Sequence, residues 1–117
     1  MAWFVDAQRV LFDRSAQAIY AYLDDVHKAC NEKFATLLGY QSPEEWAGVR
    51  GSFPALFVAR RSQEALVSTY QNAMENLIAS SIEIEWKQKD GGTVTTNVVL
   101  VPIIFQGHLF ALHFVSS

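Results

Sequence analysis

The stretch CNEKFATLLGYQSPEEW, residues 30–46, decides the fold because it contains two helix starts separated by one glycine corner. Asn31 precedes an apolar face that includes Phe34 and Leu38, and an asparagine in this position caps a helix by accepting a backbone N–H bond. Gly39 is then expected to end the helix, since glycine adopts a positive φ at little cost. The pattern predicts a short helix bounded by Asn31 and Gly39.

A second helix is predicted directly after this corner. Ser42 is its expected cap, and Pro43 fits the first turn, where the missing N–H costs nothing. Glu45 stands three residues after Ser42 and completes a capping box. Two short helices joined in this way form a compact, bent connection after a strand, which is typical of a small α+β domain.

The residues before this stretch predict a short helix followed by a hairpin. The helix is expected over residues 6–14. A strand over residues 18–23, a turn at residues 24–25 and a returning strand over residues 26–30 follow it.

A long helix is expected over residues 62–79, where Leu66, Tyr70 and Met74 recur at helical spacing and Ser62 is a candidate cap. After this helix the apolar residues recur at every second position, with Ile84 and Trp86 among the apolar positions of a half-buried strand.

Two tight turns divide the remaining chain into strands. Residues 90–92, Asp-Gly-Gly, are a strong hairpin signal, and residues 93–105 return as a long strand. Residues 106–107 make a second turn before a last strand over residues 108–115. Two strands, several helices and three strands in this order predict an α+β domain, with a five-stranded antiparallel sheet and helices packed on one face.

Composition excludes several classes of function. The 117 residues fit one domain, and the net charge of -3 provides no basic face for nucleic acid. The single cysteine, Cys30, rules out an intramolecular disulfide, and no membrane segment or signal peptide is recognisable, so a cytoplasmic location is expected. Charged residues are 18% of the chain against about 25% in typical domains, which predicts an apolar surface that meets a partner.

In the order and spacing of its motifs the chain resembles a PAS domain. The resemblance covers roughly residues 15–115 and divides the chain into an N-terminal helical cap, residues 1–14, and a PAS-like domain, residues 15–117. The residues that carry it are Asn31, Phe34, Leu38, Gly39-Tyr40, Ser42-Pro43-Glu44-Glu45, Tyr70, Ala73, the strand 83–89 with Asp90-Gly91, and Pro102-Ile103.

The resemblance implies a sensor or interaction module of a signal-transduction protein, usually joined to a kinase, a cyclase or a transcriptional output. Such domains can hold haem, flavin or a small metabolite between the sheet and the helices. Light sensors of the family need a cysteine in the helix after the Gly-Tyr corner, and residues 48–57, GVRGSFPALF, contain none. Haem-binding members place a histidine on or near the long helix, and residues 58–74 contain none. Flavin adduct chemistry and haem are therefore not expected, and the ligand stays unknown.

The remaining residues of metal-binding or reactive type have simpler interpretations. Cys30 is predicted to be an inert buried thiol. His27 and His108 fall at turns or strand ends and are expected to be solvated, without the spacing of a zinc site. Arg60 and Arg61, at the start of the long helix, either hold an anion or are two solvated charges.

The inner face of the sheet defines the candidate ligand site. Either its side chains line an open cavity for a small hydrophobic or aromatic ligand, or they fill the space themselves. The candidate lining residues are Tyr70, Met74, Ile84, Trp86, Val98, Leu100, Leu112 and His113.

The outer face must also be covered, because residues 98–101 are apolar on both faces of their strand. The apolar N-terminal segment can fold over its own sheet or over that of a second subunit. The second arrangement predicts a homodimer formed by Trp3, Phe4, Val10 and Leu11 with the sheet residues Val99 and Val101.

Two other functions are compatible with the chain. The first is a ligand-free dimerisation or protein-interaction domain. The second, remote alternative is a small α+β enzyme of the isomerase or thioesterase type with Asp90 or His113 as acid or base. No nucleophile–base pair is recognisable, so no enzyme activity is predicted.

Overall fold

The structure, a computed structural model, describes Asp6 and residues 9–116. Within this part the helices are α1 (Arg9–Arg14), α2 (Glu32–Leu37), α3 (Pro43–Ala47), α4 (Phe53–Phe57) and α5 (Arg60–Asn76). The strands are β1 (Ala18–Tyr22), β2 (Lys28–Cys30), β3 (Ser80–Lys87), β4 (Thr93–Phe105) and β5 (His108–Ser116). No helix in this part of the chain is both long and apolar enough to cross a membrane.

The strands form one antiparallel sheet in the order β2-β1-β5-β4-β3. The first and last strands of the chain therefore pair at its centre, where Tyr20 lies opposite His113 and Tyr22 opposite Ala111. The predicted α+β fold with a five-stranded antiparallel sheet is confirmed.

Strand alternation gives this sheet two different apolar faces. The inner face carries Tyr20 and Trp86, which pack with Phe34, Trp46 and Phe57 of the helices that follow β2. These five aromatic side chains are almost completely buried. The helices α2 to α5 thus cover the inner face and build the main core.

The outer face is covered by α1 over β1 and β5. Phe12 is 4% exposed and packs with Ile19 and Phe110, with Leu11 beside them. Leu11 therefore lies on its own sheet, whereas Val10 is 71% exposed. Trp3 and Phe4, the other predicted contacts of this segment, lie outside the described residues.

Asn31 joins β1 to the first helix after β2. Its side-chain oxygen accepts hydrogen bonds from the N–H groups of Ile19 and Phe34, both at 3.0 Å, and its Nδ2 donates to the Gln17 carbonyl at 2.9 Å. The predicted cap is confirmed, and so is the positive φ of Gly39, +86°.

The second helix start is confirmed at Ser42, whose hydroxyl accepts from the Glu45 N–H at 3.0 Å. Glu45 does not reach back to Ser42 as a capping box predicts. Its carboxylate accepts from the Gln41 N–H instead and pairs with Lys89.

The long helix differs from its predicted range at both ends, and the structure contains one helix that was not predicted. Helix α5 begins at Arg60, and the predicted cap Ser62 lies in its first turn, where the hydroxyl accepts from the Glu85 N–H of β3. It ends at Asn76 because Leu77 adopts a left-handed φ of 53°. Helix α4 was not predicted, because five residues show too little periodicity to be recognised.

Replacing Asn31 with alanine should lower the free energy of unfolding by about 3 kcal/mol, because two buried N–H groups and the part-buried Gln17 carbonyl lose their partner. Ser42→Ala, which removes a single cap bond, is the matched control and should cost about 1 kcal/mol. Urea unfolding measures both. Equal losses would show that Asn31 acts only as a helix cap.

Candidate functional site

A cavity of about 160 Å³ lies on the inner face between β1, α4 and α5. Its floor is made by buried residues of β1 and β5, and its mouth lies beside the more exposed residues Val67 and Gln71. The residues that line it are Tyr20, Tyr22, Phe53, Pro54, Leu66, Val67, Tyr70, Gln71 and His113.

Aromatic rings form most of the cavity wall. The ring of Tyr22 is nearly perpendicular to those of Phe53 and Tyr70, at centroid distances of 5.2 and 5.4 Å. Phe53 in turn stacks on Tyr20 at 5.5 Å. These arrangements are favourable for aromatic pairs, so the rings hold each other in place.

The floor contains a neutral histidine. The His113 ring stacks on Tyr20 at 3.9 Å, and its Nδ1 lies 3.2 Å from the Ala111 carbonyl, to which it donates. Complete burial lowers the pKa of His113 to about 3, and hydrogen bonding to the backbone of Ala111 and Tyr20 acts in the opposite direction. In this tautomer Nε2 is the ring's hydrogen-bond acceptor.

Two polar atoms beside the cavity are buried without a hydrogen-bond partner in the described part of the chain, the Tyr20 hydroxyl and Trp46 Nε1. An unsatisfied buried polar group costs about 1–3 kcal/mol. Burial also raises the pKa of Tyr20, so this hydroxyl stays protonated. An oxygen atom of a ligand or water that reached it would recover part of that cost.

Asp25 links the cavity wall to the β1–β2 turn. Its carboxylate accepts from the Tyr22 hydroxyl at 2.9 Å and from the Phe53 N–H at the start of α4 at 3.0 Å. Desolvation and this hydrogen bond raise the pKa of Tyr22. Two residues that line the cavity therefore depend on one carboxylate outside it.

Lys28 holds the same turn against α3. Its Nζ donates to the carbonyls of Asp25, Ala47 and Val49 at 2.9–3.2 Å. It also lies 5.7 Å from the ring centroid of Trp46, within cation–π range. Partial burial of the ammonium lowers the pKa of Lys28.

The predicted site residues fall into four groups in the structure, and the fourth contains only Leu112, which is described below. Tyr70 and His113 line the cavity. Met74 and Leu100 pack beside Tyr70 in a small adjoining cluster. Among the predicted residues that fill the main core are Ile84, Trp86 and Val98.

Leu112 requires a correction. It lies in the cluster of Phe12 and Phe110 on the outer face. Consecutive strand residues point to opposite faces, so Leu112 and His113 cannot both face the cavity.

Sequence reasoning missed most of the cavity lining, including Tyr20, Tyr22, Phe53 and Leu66. The spacing of Tyr20 and Tyr22 by two residues in a predicted strand was the available signal, because it places both rings on one face. Phe53 carried no comparable signal, since α4 was not predicted.

The cavity does not fit the large cofactors that such a fold can hold. Ligand pockets for larger molecules have volumes of roughly 300–1,000 Å³, against about 160 Å³ here. The only histidine in the lining has its ring flat on Tyr20 and its Nδ1 bonded to the backbone. Neither haem nor flavin can enter this cavity as it stands.

Other candidate groups lie elsewhere. Cys30 is buried, and burial raises the pKa of its thiol. Arg61 pairs with Glu85. Asp90 accepts from the Gly92 N–H in the β3–β4 turn and is not brought together with His113. Across Asp6 and residues 9–116, no three His, Cys, Asp or Glu side chains form a group suited to a metal ion.

The exposed histidines have separate surroundings. His27 pairs with Asp24 at 2.9 Å in the β1–β2 turn. His108 begins β5, and its ring lies 6.3 Å from that of Phe110.

The solved structures similar to this chain include several PAS domains. A PAS domain from Colwellia psychrerythraea has a TM-score of 0.74 and 23% identity, over 97% of this chain and 96% of that one. A domain of the sensory box sensor histidine kinase/response regulator from Geobacter sulfurreducens has a TM-score of 0.70 and 14% identity, over 99% and 96%. The Cycle PAS-B domain of Drosophila melanogaster with bound ethylene glycol has a TM-score of 0.70 and 12% identity, over 85% and 97%.

No protein-family model and no curated protein matches the chain. The structural similarity extends over nearly its whole length, so the chain has the PAS fold, as the resemblance implied.

His113 should make stability depend on pH. The unfolded chain binds a proton on this residue below pH 6.5 while the folded protein does not until about pH 3, so stability falls as the pH drops through this window. Relative to His113→Gln, the native protein should lose about 2 kcal/mol of unfolding free energy between pH 7 and pH 5.

Urea unfolding at both pH values measures this difference. Val98→Ala is the control, because it weakens the core but keeps His113 and should retain the native pH dependence. A His113→Gln profile parallel to that of the native protein would mean that His113 takes up its proton equally in the folded and unfolded states, so that its pKa is not lowered by the fold.

Proposed function

We propose that this PAS-fold domain is a sensor module of a signal-transduction protein that takes one small organic molecule into its inner-face cavity. The supporting observation is the cavity of about 160 Å³ walled by aromatic rings. An apolar cavity of about 150 Å³ is large enough for a benzene-sized molecule. The expected ligand is therefore no larger than a single six-membered ring.

The way in which β1 is packed supports a route from the cavity to the outer face. Tyr20 and Tyr22 line the cavity, while Ile19, the residue before Tyr20, packs against Phe12 of α1 on the opposite side of the sheet. A ligand that shifts β1 toward or away from the cavity would therefore displace the surface on which α1 packs. The output would be a change in how α1 and the outer face meet a partner.

The partner that we propose is a second copy of the chain. Beyond the area covered by α1, Val99 is 43% exposed and Val101 is half-buried, and Val10 of α1 is 71% exposed. A dimer that buries these side chains removes apolar surface from water at about 25 cal/mol per Å². Trp3 and Phe4 would add to this interface.

A ligand-free interaction domain is the second candidate. The observation that favours it is that Ile84, Trp86 and Val98 fill most of the inner face themselves. The separation of Asp90 from His113 gives no support to an isomerase or thioesterase, and we propose no enzyme activity.

Two of the similar structures agree with this proposal. One is a domain of a sensor histidine kinase/response regulator, and the other is a PAS-B domain with bound ethylene glycol. A kinase output and a small cytoplasmic ligand are the corresponding proposals for this chain.

Native mass spectrometry of the domain purified from cells, with an absorption spectrum of the same sample, tests ligand binding. We expect an added mass of a small organic molecule. Gln71→Trp, which places an indole at the cavity mouth, should abolish the added mass, whereas Ser68→Trp, on the same helix but outside the lining, should keep it. Bare native protein at the dimer mass would favour the ligand-free alternative.

Light scattering at micromolar concentration tests the dimer. Val99→Glu should weaken self-association by at least about tenfold, because a buried interface would acquire an unpaired charge. Thr93→Glu introduces the same charge on the same face of β4, away from Val99 and Val101 and opposite Lys87, and should leave the dimer intact. A monomeric mass for the native chain would refute the dimer.

A further inference from the structure

We infer that the cavity selects a small alkylated ammonium ion over a neutral molecule of the same shape. This inference rests on the proposed function and names the chemical class of its ligand. The faces of the tyrosine rings and the carboxylate behind Tyr22 would supply the attraction, and the organic cation would enter without the need for any hydrogen-bond acceptor.

The lining itself favours such an ion. Four of the nine lining residues are Tyr or Phe, and the nine include no Lys, Arg, Asp or Glu. Three of these rings, Tyr22, Phe53 and Tyr70, meet at steep angles with centroids 5.2 and 5.4 Å apart. The lining thus gathers several aromatic rings around one small space, and a cation within about 6 Å of a ring face is attracted by its quadrupole.

The fixed charges around the cavity have the matching sign. The Asp25 carboxylate is one hydrogen bond from the cavity, because it accepts the Tyr22 hydroxyl proton at 2.9 Å. The negative charges of Asp24 and Asp25 also reach Tyr70, on the opposite wall, where they add to the effect of burial in raising its pKa. His113, on the floor, is neutral.

The nearest cations make their contacts outside the cavity lining, although Lys28 also interacts with the charges of Asp25 and Asp24. Lys28 Nζ donates to three backbone carbonyls and lies over Trp46 and Phe57, neither of which lines the cavity. Arg50 donates to the Ala47 carbonyl. Lys28 also shows that the aromatic core of this domain already holds one cation over its rings, at 5.7 and 5.8 Å.

Size and desolvation separate this class from other cations. A trimethylammonium group is no larger than benzene, and an apolar cavity of about 150 Å³ admits benzene. It carries no N–H group, so burial leaves no donor unsatisfied, whereas a primary ammonium ion would lose hydrogen bonds to water. No carboxylate lines the cavity to replace them.

The test compares choline with 3,3-dimethyl-1-butanol, which has the same shape but carbon in place of the charged nitrogen. Titrations of the native domain followed by amide NMR should show choline binding roughly tenfold more tightly than the neutral alcohol. The largest shifts should fall on Tyr22, Phe53 and Tyr70.

Two variants test the source of this preference. Asp25→Asn keeps an acceptor for Tyr22 and Phe53 but removes the charge, and should reduce the preference for choline severalfold. Glu83→Gln makes the same change in net charge on the exposed outer face of β3 and should not alter it. Tyr70→Leu, which keeps an apolar wall, should weaken the binding of choline more than the binding of the alcohol.

Equal binding of the two probes would overturn the inference and leave the proposed small-molecule sensor intact. If neither probe shifts the cavity amides, the inference also fails, and the mass found on the purified domain decides separately whether the sensor proposal stands. Binding of choline that Asp25→Asn and Tyr70→Leu leave unchanged would place the ion outside the cavity and would contradict the inference as well.

Discussion

The antiparallel pairing of β1 with β5 is the constraint on which the rest of the structure depends. It joins the first strand to the last and places Tyr20 opposite His113 at the centre of the sheet. Because side chains alternate along a strand, the same register directs Tyr20 and Tyr22 to the helices and Ile19 to α1. A slip of one residue would exchange these faces, and both the cavity and the surface on which α1 packs would be lost.

Asn31 and Asp25 secure this arrangement at the two ends of the β1–β2 hairpin. Asn31 bonds to the backbone of β1 and of α2, and Asp25 bonds to Tyr22 and to the start of α4. Buried polar groups of this kind are costly unless they are satisfied, so each side chain specifies one position of a helix relative to the strand. The cavity is the space that remains where α4 and α5 meet β1 without filling it.

The two sides of β1 give the domain its proposed means of signalling. A ligand would contact the inner side chains of the strand, and a partner would meet α1 and the outer face. Packed interiors transmit small displacements because they contain few voids. In the proposed mechanism, a small ligand would therefore act through this fold without a large conformational change, and the aromatic wall with its nearby carboxylates would define which ligands do so.

The sequence by itself determined the local elements, because the chemistry that sets them lies within a few residues. Asn31 and Ser42 as caps, Gly39 as a corner, and the alternation of β3 could all be read directly, and with them the five-stranded α+β fold. Only the tertiary structure decided which distant segments contact each other. The pairing of β1 with β5, the short helix α4 and the placement of Leu112 on the outer face depend on contacts between distant residues. Local periodicity identifies a buried side chain, but it does not say whether that side chain fills the core or borders a cavity, because the difference lies in the packing of segments far apart in the chain.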